Sequence, residues 1–158
     1  MWCDADFASC LDPRRSVTGW VVVCFEGAVT WESCQQPTTA ASTMDAEFLA
    51  CGAAAREGIS YRKLMREFAL LSRDLDLKGP LHVFCDNKAA VCLCKDRKES
   101  KRVKHIDVIH HFARDRVASG ELAFLYFESK NNVSDCLTRA LPRSAFEVGL
   151  VGLGMLCV

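Results

Sequence analysis

Val17 to Phe25 is apolar at nearly every position, the pattern of a strand covered on both faces and therefore central in a sheet. Residues 2–8 read as a strand before it, and Asp12-Pro13-Arg14-Arg15-Ser16 as the turn between them. Glu26-Gly27 is a tight connection, and the more polar stretch from Ala28 to Cys34 predicts a third strand nearer an edge. Ser42 or Thr43 caps the helix that follows, where Phe48, Cys51, Ala55 and Ile59 recur at helical spacing and Leu64, Phe68 and Leu71 continue the stripe. Gly58 predicts a kink or break in it. The short apolar run from Leu81 to Cys85 reads as a buried strand. Further helices are expected over 87–94 and around Ile106, Ile109, Ala113 and Val117, the latter stopped by Ser119-Gly120. Leu122 to Phe127 is a fifth strand, and Val133 to Ala140 a last helix closed by Pro142. The order β-β-β-α-β-α-α-β-α predicts an α/β fold. Three antiparallel strands are joined by two parallel ones through right-handed crossovers.

The length of 158 residues suits one domain, assigned to residues 1–146, with 147–158 as an apolar C-terminal tail or docking helix. Twenty basic residues balance twenty acidic ones, so nucleic-acid binding has to rest on local patches. The ten cysteines include no CxxC pair, and Cys24, Cys51 and Cys85 lie in apolar segments. They read as buried thiols of an intracellular, reducing compartment, cytoplasm or nucleus, rather than a disulfide framework. Cys92 and Cys94 with a histidine make a weak zinc pattern, and no zinc is expected. No apolar run reaches the ~20 residues that span a bilayer, so no membrane is expected.

Four acids carry the chemistry. Asp4 lies on the first strand, Glu47 one turn into the long helix, Asp86 at the end of the Leu81–Cys85 strand and Asp135 at the start of the last predicted helix. Asp86 ends a buried strand, where α/β sheets bind ligands, and a neighbouring strand carrying Asp4 would bring the two carboxylates close together. Like charges so close need a counter-charge. Divalent magnesium or manganese supplies it through the oxygen ligands these ions prefer. Two such ions can activate a water and stabilise the leaving oxygen of a phosphodiester. Each acid alone reads more readily as a cap or a solvated charge, and an Asp-x-Asp pair also occurs in metal-dependent glycosyltransferases. The order and spacing of the set carry the reading.

With these residues in place the chain resembles the RNase H domain of copia-type retrotransposon polyproteins, within the RNase H-like superfamily. The resemblance covers about Trp2 to Phe146. It rests on Asp4-Ala5-Asp6-Phe7-Ala8, Arg14-Arg15-Ser16 with Gly19, Ala28-Val29-Thr30-Trp31, Gln36-Pro37-Thr38 and Ala46-Glu47-Phe48. It continues in Cys85-Asp86-Asn87, Lys104-His105-Ile106-Asp107 with His111-Phe112, Ser134-Asp135-Cys136-Leu137-Thr138-Arg139 and Leu141-Pro142. It implies a five-stranded mixed sheet flanked by helices, and hydrolysis of the RNA strand of an RNA–DNA hybrid with two Mg²⁺ ions. It also implies an upstream reverse transcriptase domain as partner. The family's four metal-binding acids fall on Asp4, Glu47, Asp86 and Asp135. Strand one of the family starts further upstream, which makes a weakened sheet beside Asp4 an expectation. The loop Glu128 to Asn132 has no histidine, where many RNases H carry one. A remnant that keeps the fold as a binding or inert module is the second reading; an integrase or exonuclease, which places its acids on other elements, is the third.

Asp6 shares a strand face with Asp4 and is either a metal-supporting acid or a solvated one. Lys101, Arg102 and Lys104 in the basic connector, and Arg14 and Arg15 in the first turn, are candidates for phosphate contacts, and the resemblance makes His105 of its Lys104-His105-Ile106-Asp107 motif a candidate to touch substrate. Trp2, Trp20 and Trp31 are expected to be core or sheet-face aromatics.

Overall fold

Strands Trp2–Asp6 (β1), Val17–Cys24 (β2), Gly27–Gln35 (β3), Leu81–Cys85 (β4) and Leu122–Tyr126 (β5) form one sheet in the order β3-β2-β1-β4-β5. β1 pairs antiparallel with β2 and parallel with β4, and β4 pairs parallel with β5. This is a computed structural model; it describes residues 1–9, 12, 14–71, 79–96 and 107–155, without the side chains of 70, 71 and 107–110. The mixed sheet matches the predicted class, and the polar third strand lies at an edge.

β1 holds the centre through pairing on both sides. Asp4 faces Gly19 of β2, Trp2 faces Phe84 of β4, and Phe84 N–H donates to the Met1 carbonyl at 2.9 Å. The short strand that carries Asp4 is therefore hydrogen-bonded into the sheet along its length.

Helices Thr43–Leu71 (α1), Lys88–Lys95 (α2), Asp107–Ala118 (α3) and Arg143–Gly152 (α4) flank the sheet. The α1 stripe of Phe48, Cys51, Ala55 and Ile59 packs on Cys3, Val83, Leu122 and Phe124 to form the main core. Burying Phe48 and Phe124 contributes about 1.5–3 kcal/mol each.

Several expectations are corrected. The predicted break at Gly58 is absent, since α1 runs unbroken for 29 residues. Gly58 permits close packing: a Cβ there would lie 2.9 Å from Leu81 Cδ2 and 3.1 Å from Met1 Sδ. Leu64 and Phe68 do not extend the core stripe; both are half exposed, where α1 outruns the sheet. Phe25 is not part of β2. Phe25 and Glu26 both have positive φ, as a two-residue hairpin turn requires, and Phe25 is 81% exposed. Trp20 is a core aromatic and Trp31, 59% exposed on the edge strand, a sheet-face one as expected, while Cys24, expected to be buried, is only partly so. The helix predicted over 133–140 is replaced by one 3-10 turn, Asp135–Leu137, after another at Ser129–Asn131. The regular helix starts beyond Pro142, at Arg143. Asn132 Oδ1 takes up the Ser134 N–H there, which competes with helix formation.

α4 crosses residue 146, and Leu153 just after it is buried, its carbonyl accepting from Ala28 N–H at 2.9 Å. Among the described residues no helix is long and apolar enough to cross a membrane.

Candidate functional site

Asp4 stands at the middle of the central strand, buried and paired across to Gly19. That glycine is a requirement of the site. A Cβ at position 19 would lie 2.7 Å from Thr138 Cγ2, 2.8 Å from Leu137 Cβ and 3.2 Å from the Ser134 carbonyl. The missing side chain lets the segment that carries Asp135 lie against β2 beside Asp4. Ser33 on β3 fastens the same segment through its hydroxyl to the Leu137 carbonyl at 2.5 Å. Asn132 Nδ2 donates to the Cys3 carbonyl at 3.3 Å, while its Oδ1 accepts from Ser134 N–H and Oγ–H. Thr138 completes the attachment. Its hydroxyl contacts both the Asp4 carboxylate, as donor, and the Asp135 carbonyl at 3.1 Å.

Asp86 follows the last residue of β4, immediately before α2, whose first turn Asn87 caps by accepting from Ala90 N–H at 3.1 Å. One carboxylate oxygen each from Asp4, Asp86 and Asp135 lies within 4.8 Å of the others. Glu47 enters from α1. Gln36 fixes this end of the helix, its Nε2 donating to Thr18 Oγ1 and to the Ala46 carbonyl, both at 2.9 Å. An oxygen of Glu47 lies within 4.8 Å of one of Asp86, and Cys85 Sγ is 3.8 Å from Glu47 Oε2.

The electrostatics are those of a site short of positive charge. Burial, with the charges of Asp135 and Asp86, pushes Asp4 up to about 7, although the Thr138 hydroxyl pulls it down. Burial, with Asp4 beside it, pushes Glu47 up to about 10. Asp86 is also raised, chiefly by burial. Arg139 bonds Asp135 Oδ2 at 2.5 Å and is raised by that bond. Asp135 Oδ1 is buried with no hydrogen-bond partner. An orphaned carboxylate oxygen beside two more carboxylates is a donor set that fits a hard divalent cation.

The structure thus brings Asp4, Asp86 and Asp135 together and sets Glu47 beside Asp86. Asp6 is half-buried at the end of β1, on the Arg139 side. Arg14 is exposed with positive φ, and Arg15 is half-buried ahead of β2. Lys101, Arg102, Lys104 and His105 lie outside the described residues. Cys92 is exposed while Cys94 is buried, so the CxC pair points to different environments. Sequence reasoning gave no role to Thr138, Asn132, Gln36 or Arg139. The signal available was the local polar run around Asp135, which a helix assignment concealed.

No protein-family model matches the chain. Over 154 residues, 98% of its length, it is 33% identical to the retrovirus-related Pol polyprotein from transposon TNT 1-94 of Nicotiana tabacum. Over 146 residues, 92% of its length, it is 30% identical to those from transposons RE1 and RE2 of Arabidopsis thaliana. It spans 10–11% of the length of these curated relatives. Among solved structures it is similar to RNase H1 from the halophilic archaeon Halobacterium salinarum NRC-1, with a TM-score of 0.54 at 16% identity. It is also similar to LC11-RNase H1 in complex with an RNA/DNA hybrid, with a TM-score of 0.55 at 17% identity. Both matches cover 87% of this chain and 91% of the other. The fold is that of RNase H.

Proposed function

We propose that this chain is the RNase H part of a copia-type retrotransposon Pol polyprotein and hydrolyses the RNA strand of RNA–DNA hybrids. On this reading it acts beside a reverse transcriptase domain, with two Mg²⁺ ions held by Asp4, Glu47, Asp86 and Asp135. The observation that carries the reading is the convergence of three buried or half-buried carboxylates, one with an orphaned oxygen, at the centre of an RNase H fold. The plant-transposon relatives and the hybrid-bound structural neighbour support the biological setting and the substrate class.

Divalent ions bound by such a set lower the pKa of water and offset charge on the scissile phosphate. The protein's own part is to hold its acids ready. Thr138 fixes the Asp4 carboxylate and Gln36 fixes the first turn of α1 below Glu47. The Arg139 bond to one oxygen of Asp135 leaves the other free. Asp86 sits at a strand end, reachable by a backbone lying across the sheet. Discrimination of RNA from DNA falls to contacts with 2′-hydroxyls.

The test gives purified protein an end-labelled RNA–DNA hybrid with Mg²⁺, beside chelator, a DNA duplex and an Asp86→Asn variant. The reading predicts cleavage of the RNA strand alone, leaving 5′-phosphate and 3′-hydroxyl ends, lost in chelator and in the variant. Cleavage that persists in both refutes it, and tight, salt-sensitive binding without cleavage identifies a non-catalytic module.

A further inference from the structure

Beside the acids lies a second cluster with different chemistry. Cys3 of β1, Cys51 of α1 and Cys85 of β4 are each completely buried, and their three sulfurs lie within 4.8 Å of one another. Cys3 Sγ and Cys51 Sγ are 3.8 Å apart. Tetrahedral zinc with Zn–S bonds of about 2.3 Å separates its sulfurs by about 3.8 Å. Single buried cysteines serve as small apolar side chains. Three converging from three elements within 4.8 Å, one pair at the ligand spacing, form a donor set.

We propose that Cys3, Cys51 and Cys85 form a site for one thiophilic divalent cation of the zinc class, adjoining the carboxylate centre at Glu47. Thiolate donors select soft and borderline ions over magnesium and manganese, so the two clusters divide metals by ligand chemistry. A divalent ion fits better than a monovalent one, because three thiolates in one buried place concentrate negative charge that only the larger cation charge offsets. Two groups border the triangle and offer a fourth donor: Cys94, next to Cys51, and Glu47, 3.8 Å from Cys85 Sγ. Binding replaces thiol protons, which pass to solvent, and ties β1, α1 and β4 together at one point.

Cadmium is the probe, because its thiolate charge-transfer absorbance reports sulfur ligation directly. The protein is titrated in a non-thiol phosphine reductant. The titration is repeated on a variant with the six cysteines 10, 24, 34, 92, 136 and 157 replaced by alanine. The expected result is one cadmium per chain in that variant, with a charge-transfer band and at least three sulfur neighbours by X-ray absorption. A fourth sulfur identifies Cys94, and an oxygen identifies Glu47. Adding Cys51→Ala and Cys85→Ala abolishes the band while circular dichroism stays native. Absence of the band, its survival after those changes, or fewer than three sulfurs per cadmium overturns the proposal. If the variants do not fold, X-ray absorption of the natural chain with one equivalent of cadmium reads the same sulfur count. None of these readouts depends on hybrid cleavage, so failure here and failure of the nuclease reading are separate outcomes.

Discussion

Gly19 is the residue on which the acid cluster most depends without contributing an atom to it. A methyl group at this position meets the Thr138 and Leu137 side chains and the Ser134 backbone, and the backbone has least room to yield. Gly19→Ala is therefore expected to cost about 1–3 kcal/mol of stability through overpacking. It should lower hybrid cleavage by at least tenfold, because the Asp135 segment must move away from Asp4; thermal melts and rates measured together check this. Thr138 makes a sharper comparison. Thr138→Val keeps the shape and removes the hydroxyl, leaving a buried carboxylate unsatisfied at a cost of about 1–3 kcal/mol. Thr138→Ser should recover most of both stability and rate. Loss in Thr138→Ser with none in Thr138→Val would show that the methyl packing, not the hydrogen bond, matters.

Elements, rather than single residues, decide how the acids meet. β2, β4 and β5 were legible in the sequence because each is a run of mostly apolar residues with a turn at its end, and Leu81–Cys85 is recovered at both ends. The Asp135 segment was not legible as structure. Its Val133, Ser134, Cys136 and Leu137 have helical spacing, yet Asn132, Ser134 and Thr138 bond the chain to itself and to β1 instead. Pro142 similarly reads as a stop, but the structure uses it as the residue before α4. Glycine 58 shows the reverse error, where a residue taken as a breaker serves packing between α1 and β4. The start of α1 belongs to this scale too. Gln36 bridges β2 and the first turn, so Gln36→Ala should destabilise by about 1–3 kcal/mol and raise the Mg²⁺ concentration needed for half-maximal cleavage. An unchanged Mg²⁺ requirement would separate Gln36 from the placement of Glu47.

At the scale of the whole molecule, the fold holds acids in places that favour their neutral forms. Asp4 moves from an ordinary 3.8 to about 7, and Glu47 from 4.5 to about 10. Between those limits the unfolded chain has released protons that the native protein keeps. Stability without divalent ions is therefore fullest below about pH 4 for these two groups and falls as pH rises. The decline runs to about 7 for Asp4 and about 10 for Glu47. Melting temperatures of the metal-free protein should drop between about pH 5 and pH 8, and Mg²⁺ should restore more at the higher pH. An equal drop in an Asp4→Asn, Glu47→Gln double variant would assign the effect to other groups. The sheet order, with β1 between an antiparallel and a parallel neighbour, is what sets Asp4 in mid-strand beside Asp86 at the end of β4.

The central claim is that Asp4, Asp86 and Asp135 hold a hard divalent cation. The most direct measurement is an anomalous difference map from crystals soaked in Mn²⁺. The account predicts a peak coordinated by oxygens of all three acids, with Asp135 Oδ1 among the ligands and Glu47 at or beside the shell. A map with no peak there, from crystals of protein that still cleaves hybrid, would contradict it.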